Sequence, residues 1–200
     1  MLLKKKSTII SIALALILAT AGGYYYFAIY HSVRDVFSIS EYKEYTTAQG
    51  LFGGAEFVVI GSPIRDFEDR EVLLKEREIL MDGRPTSIME YIVTRTGIHV
   101  EKVLKGPEED AVDLKVIEPI GVKQTLKGKE RYALAGYTAM KKGSQYIIFL
   151  SKNTSGQYSI INMQSGKFNL DGTDPDDFSG VNSGRKLSMF SELKRIYLED

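Results

Sequence analysis

SIMEYIVTRTGIHVEKVLKG, residues 87–106, is the longest strand candidate in the chain. From Ile92 its even positions read Ile92, Thr94, Thr96, Ile98 and Val100. The odd positions read Val93, Arg95, Gly97, His99 and Glu101. A strand sends alternate side chains to opposite faces, so the first set is predicted to point inward and the second outward. The phase slips at Lys102, because the apolar Val103 follows directly, and the slip predicts a bulge. Gly106-Pro107 then ends pairing, since proline has no ladder N–H. Alternation resumes at Val112, Leu114 and Val116. The stretch KGPEED, residues 105–110, is thus expected to be a tight acidic corner between two antiparallel strands. Its carboxylates keep a turn soluble and are assigned no chemistry.

Working outward, Phe57-Val58-Val59-Ile60 is a continuous apolar run, as in a strand buried on both faces, and Gly61 suggests a bend. The pattern frays through residues 64–69. Met81 to Ser87, with Asp82-Gly83 and Pro85, is a turn signal, and residues 77–81 could extend a ribbon into it. Residues 121–144 are less regular, but a structureless loop of that length is unusual in a compact domain. A helical turn or short strand is therefore expected near residues 130–135. Residues 145–150, QYIIFL, read as a central strand, 152–156 as a hairpin loop, and 157–163 as its partner. Leu187, Phe190, Leu193, Ile196 and Tyr197 recur at helical spacing, so the chain is expected to close with an amphipathic helix packed on the sheet. Residues 55–200 therefore read as one mainly β domain with a C-terminal helix.

The N-terminal segment differs in kind. Residues 7–30 contain no Asp, Glu, Lys or Arg. As a helix rising about 1.5 Å per residue they reach roughly 36 Å, enough for a hydrocarbon core of about 30 Å. Lys4, Lys5 and Lys6 precede the segment, which places residues 1–6 in the cytoplasm and the later domain outside by the positive-inside rule. Tyr24, Tyr25, Tyr26, Phe27 and Tyr30 form an aromatic belt at its far end. The alternative is a signal peptide, residues 1–21, cleaved after Ala19-Thr20-Ala21, which would leave a secreted domain. Residues 31–54 read as a linker. Ser38 and Glu41 have capping-box spacing, so a short helix is expected over residues 39–48, ended by Gly50.

Composition narrows the function classes. The whole chain has 26 basic and 26 acidic residues; without the three leader lysines, 23 basic face 26 acidic. No basic field is available to recruit nucleic acid. Cysteine is absent, which excludes disulfides, thiol nucleophiles, thiolate zinc sites and lipidation through an N-terminal cysteine. The pattern leans toward a bacterial extracytoplasmic setting.

No catalytic, cofactor or metal residue is assigned. His31 lies where the apolar segment ends. His99, with Glu101 two residues on, shares an outward strand face, but no motif presents a serine to it. Asp171, Asp174, Asp176 and Asp177 could offer oxygen ligands to Ca²⁺, yet their spacing departs from the EF-hand loop, so they read as an acidic solvated loop. LFGGAEF, residues 51–57, precedes a strand and lacks the Gly-Lys-Ser/Thr of a phosphate loop. Lys141 and Lys142 read as a solvated turn, and Asn153-Thr154-Ser155 as a glycosylation acceptor that matters only on a eukaryotic secretory route.

The order VVIG, VEKVLKG, a third strand, KKGSQYIIFL, a hairpin and SGKFNL, across residues 56–170, resembles the OB-fold barrels of the netrin-like group, which includes the tissue inhibitors of metalloproteinases. It looks closest to uncharacterised bacterial exported proteins with the same V.KVLKG, G..Y..FL, GKF arrangement. The resemblance implies an OB-like five-stranded antiparallel barrel with a helix against one side. The animal inhibitors depend on an N-terminal cysteine that this chain lacks, so that activity is not carried over and no functional residue is transferred. The expectation is a non-catalytic, membrane-anchored domain binding a protein, peptide or envelope polymer. A cell-surface enzyme or enzyme inhibitor, and an accessory subunit of a membrane complex, are the alternatives.

Overall fold

The computed structural model describes residues 2–38, 42–179 and 183–198. The chain divides into two compact units, Met1–Val36 with Val122–Arg131, and Phe37–Gly121 with Tyr132–Asp200. Among the described residues the protein is mainly β, with an apolar helix at the N-terminus and a second helix at the C-terminus.

In the first unit, helix α1 (Leu2–Tyr24) continues as a π-helical stretch, Tyr25–Tyr30. Within it Ile10–Tyr30 is long and apolar enough to cross a membrane. Ile10, Ile12, Leu14, Leu16, Ile17 and Leu18 are all exposed. Strand β1 (Val33–Ser38) follows. It is an edge strand of a three-stranded sheet whose other strands are Gly128–Leu134, in the middle, and Ile120–Thr125.

In the second unit, helix α2 (Ala48–Gly54) corrects the expected helix over residues 39–48. Residues 39–41 lie outside the described set. The helix starts where the sequence reading ended it, because Thr47 caps it: its hydroxyl accepts the Gly50 N–H at 3.1 Å. Strand β2 (Phe57–Pro63) leads to the ribbon β3 (Glu71–Met81) and β4 (Arg84–Lys105). The ribbon is far longer than the residue 77–81 extension anticipated. It turns on Asp82-Gly83, both with positive φ, matching a two-residue hairpin turn.

The period-two reading of β4 holds: Ile92, Thr94, Thr96 and Ile98 are buried. Its register against β2 slips twice, once opposite Val58/Val59 and once opposite Ile60/Gly61, on either side of Lys102 and Val103. The corner is less tight than expected. A 3₁₀ turn, Glu108–Ala111, precedes β5 (Lys115–Glu118), and β5 then pairs antiparallel with β4. Gly106 is required there: its φ is +101°, and a Cβ would lie 2.6 Å from the Phe57 ring. Val112, expected inward, is exposed, because Asp113 takes a positive φ and the strand starts only at Lys115.

The less regular region, where a helical turn or short strand is expected near residues 130–135, is a hairpin of β6 (Ile120–Thr125) and β7 (Gly128–Leu134), so the short strand is present and has a partner ahead of it. Strand β8 (Tyr146–Lys152) pairs antiparallel with β2, β9 (Tyr158–Ile160) and β10 (Lys167–Asn169). Strand β9 is shorter than expected, since Asn162 and Met163 have positive φ and open a 3₁₀ turn. It also meets β5 in a parallel pair, Ile117 opposite Ser159.

Strand β2 is buried on both faces, as its apolar run predicted, and so is β8, expected only as a central strand. Phe57, Val59, Tyr146, Ile148 and Leu150 join one cluster with Ile98, Val116, Tyr137 and Met140. Val58, Ile147 and Phe149 join another with Leu51, Phe168, Met189 and Leu193. Helix α3 (Ser183–Leu193) supplies the last two, and Lys194–Leu198 prolongs it as a π-helical turn. Its buried side is Lys186, Met189 and Leu193; Leu187, placed in the expected stripe, faces outward. The polar Lys186 takes the buried position because it pairs with the buried Asp177 carboxylate.

Candidate functional site

Two buried ion clusters hold the second unit together, and neither was legible in the sequence. In the first, the Arg70 guanidinium donates to Glu118 Oε1 at 2.7 Å, to the Met140 carbonyl at 2.6 Å and to the Arg65 carbonyl at 2.9 Å. Glu118 also accepts from the Thr96 hydroxyl, from the Tyr137 hydroxyl at 2.9 Å and from the Met140 N–H at 2.9 Å. Burial, and then the Glu118 carboxylate, hold the Tyr137 phenol well above its ordinary pKa, so it remains a donor.

In the second, Asp177 pairs with both Lys167 and Lys186. Its other oxygen accepts the Asn169 N–H at 2.8 Å. Lys167 lies over the Tyr137 and Tyr146 rings, Lys186 over Phe168 and Phe178. Burial, and then the neighbouring Lys167 charge, lower the Lys186 pKa to about 7 against the pull of Asp177. No buried side-chain nitrogen or oxygen among the described residues lacks a partner.

These contacts account for the acidic loop. Asp177 is spent on the two lysines. Asp174 accepts the Tyr146 hydroxyl at 2.6 Å. Asp171 accepts the Gln145 N–H, the Thr173 N–H and hydroxyl, and the Asn169 amide. Burial opposes ionisation of Asp171, but the Thr173 hydroxyl and the amide donors outweigh it and bring its pKa to about 2. Among the described residues no group of three His, Cys, Asp or Glu is placed to hold a metal ion.

The histidines are not brought to carboxylates. His31 packs edge-on against Tyr26, ring centres 4.5 Å apart. His99 is exposed, and Glu101 is engaged by the Ser62 hydroxyl at 3.2 Å and by the Gln145 amide. Lys142 pairs with Asp66, and Lys141 donates to the Thr173 carbonyl at 3.0 Å. Asn153 accepts the Ser155 and Gln157 N–H groups, which shapes the β8–β9 loop.

The concave surface lies on the outward face of β4 and β5. One cavity of about 460 Å³ is lined by Leu114, Ile117 and Tyr158, and a second of about 480 Å³ by Leu73 and Tyr91 on that face together with Val72 and Leu74, which pair with Thr94 and Ile92 on the other face of the ribbon. Arg95 and Gln157 line both. The first cavity carries Arg95, Lys115 and Lys152 against Glu109, Asp110 and Asp113, so its charges balance. Asp110 accepts the Tyr158 hydroxyl at 2.6 Å, which holds its carboxyl below the usual range. Burial, and then Asp110, push the Tyr158 phenol up. The KGPEED corner thus forms one wall of a groove. The only sequence signal for it was the odd-numbered face of β4, read as solvent-facing.

The chain matches no known protein-family model and no curated protein.

Proposed function

We propose that the protein is a non-catalytic binding domain, held at a membrane by residues 7–30 and extracytoplasmic. It takes an extended peptide, or a protein or envelope polymer presenting one, in the groove that Arg95 and Gln157 join. Anchor orientation follows from the three lysines ahead of the apolar segment. The OB-like barrel is supported by the pairings, which run β2 to β4, β5, β9, β8 and back to β2. In such barrels the outer face of the second and third strands, with the loops beside it, is the usual ligand surface.

The observation that carries the binding reading is the groove itself: two adjoining cavities with both signs of charge and an exposed aromatic, Tyr91. Balanced charge disfavours a polyanion and suits a zwitterionic chain. Among the described residues strand β3 pairs only with β4, so its other edge offers main-chain groups to an extended peptide. His99 lines neither cavity, which favours binding over hydrolysis.

The test uses the full chain in nanodiscs against arrays of extended peptides and of cell-wall glycan fragments. Peptides are expected to bind, and Tyr91→Ala to weaken them about tenfold, the loss of one aromatic anchor. His99→Ala is expected to change nothing. Turnover of a peptide or glycan that His99→Ala abolishes would sink the reading.

A further inference from the structure

The β6–β7 hairpin tip belongs to the same compact unit as the apolar helix. The Tyr25 hydroxyl donates to the Leu126 carbonyl at 2.8 Å, and the Gln124 amide donates to the Tyr30 carbonyl at 3.0 Å. The Lys129 N–H donates to the Ser32 carbonyl at 2.7 Å. Two ion pairs, Arg34 with Glu130 and Arg131 with Asp35, continue the attachment along β1. Gly128 makes the seat possible. Its φ is +109°, and a Cβ there would collide with the Ser32 hydroxyl oxygen and stand 2.8 Å from the Ile29 carbonyl oxygen.

The tip is therefore held at the level of Tyr25, inside the aromatic cluster that ends the membrane-crossing stretch. Tyrosines at such an end sit at the headgroup level of a bilayer. Leu126 projects there with 81% of its surface exposed, though it is a large apolar side chain. Lys127 beside it is exposed too. Residues 122–131 carry Lys123, Lys127, Lys129 and Arg131 against Glu130 alone. An apolar point flanked in sequence by cations, Lys127 and Lys129 nearest, is the pattern of a segment that enters the interface of an anionic bilayer.

We infer that the β6–β7 tip is a second membrane contact, with Leu126 in the acyl boundary and the lysines at the phosphates of anionic lipid headgroups. The inference rests on the anchor reading above. The contact would hold the exit of the helix at a fixed depth and stop its end from rotating freely in the headgroup layer.

The chain has no cysteine, so single labels can be placed. Leu126→Cys, Leu14→Cys and Thr154→Cys, each carrying a nitroxide, are reconstituted as full chains in phosphatidylcholine vesicles with and without phosphatidylglycerol. Oxygen and nickel-chelate accessibility then report depth. The label at 126 is expected to show an oxygen-to-nickel ratio several-fold above that at 154 and below that at 14. Phosphatidylglycerol should deepen it, and Lys127→Gln with Lys129→Gln should cancel that deepening. A label at 126 as wet as that at 154, with the label at 14 deep, overturns the hairpin contact and leaves the anchor standing. A wet label at 14 overturns the anchor, and the hairpin contact with it.

Discussion

Glu118 and Asp177 are both fully buried carboxylates, yet they are neutralised differently. Glu118 meets one guanidinium, and its two oxygens also take two hydroxyls and a backbone N–H. Asp177 meets two ammonium groups, one over rings of the first apolar cluster and one over rings of the second. The Glu118 cluster is charge-balanced within itself. The Asp177 cluster sets two ammonium groups against its central carboxylate, with buried Asp174 also acting on Lys186, and burial and Lys167 still lower the proton affinity of Lys186. A guanidinium cannot make that adjustment, since it holds its proton at any working pH. The first cluster is thus a permanent brace, while the second ties α3 to the sheet with a strength that depends on pH.

The largest effect should come from Glu118→Ala. It strands Arg70 as an unpaired buried cation and is expected to cost about 3–5 kcal/mol, read by pulse proteolysis of the full chain in detergent. Asp177→Asn should cost less, about 1.5–3 kcal/mol, because Lys186 can become neutral. Equal losses would show that both lysines stay charged, and the contrast between the clusters would break.

A pH series sharpens it further. The folded pKa of Lys186, about 7, lies below the unfolded value of about 10.4. Between those values the unfolded chain binds more protons, so stability rises with pH across that window. The rise amounts to a few kcal/mol at most, because each tenfold loss of proton affinity is worth about 1.4 kcal/mol. Below about pH 7 the penalty is complete and the slope from this group vanishes. Lys186→Met should abolish the rise, while a rise that persists would assign it to another group. The smallest effect belongs to Leu187→Glu, within about 0.5 kcal/mol, because Leu187 faces water although helical spacing alone puts it in the packed stripe.

The readings that held rest on local physics. Alternation in β4 predicted Ile92, Thr94, Thr96 and Ile98 inside, because strand periodicity is a property of the backbone. The apolar run of β2 predicted burial on both faces and residues 145–150 read as a central strand, and the clusters divide the residues of β2 and β8 alternately. Most readings that failed depended on partners distant in sequence, beyond the local Thr47 cap and the β6–β7 hairpin. Helix α2 begins at Ala48 where Thr47 caps it, and Glu192 of α3 accepts the Ala48 N–H at 3.1 Å. Lys105, quoted as the end of a strand motif, donates to the Phe52 and Ala55 carbonyls at 2.8 and 2.6 Å and so caps that helix from across the sheet. The β6–β7 hairpin was hidden because its polar, lysine-rich residues show no sustained alternation. The groove was hidden because a face alternating toward solvent looks the same whether flat or concave.

The sequence alone determined an uncharged segment, residues 7–30, long enough to cross a bilayer and a mainly β domain closed by an amphipathic helix. Hydrophobic length and periodicity are summed over neighbouring residues and need no knowledge of the rest of the chain. Only the tertiary structure decided that Arg70 meets Glu118, that Lys167 and Lys186 share Asp177, and that the acidic corner walls a groove. A charged side chain in sequence carries no sign of whether it will be solvated or buried. That depends on which opposite charge the fold places within hydrogen-bonding reach, and here those partners lie between 9 and 48 positions away.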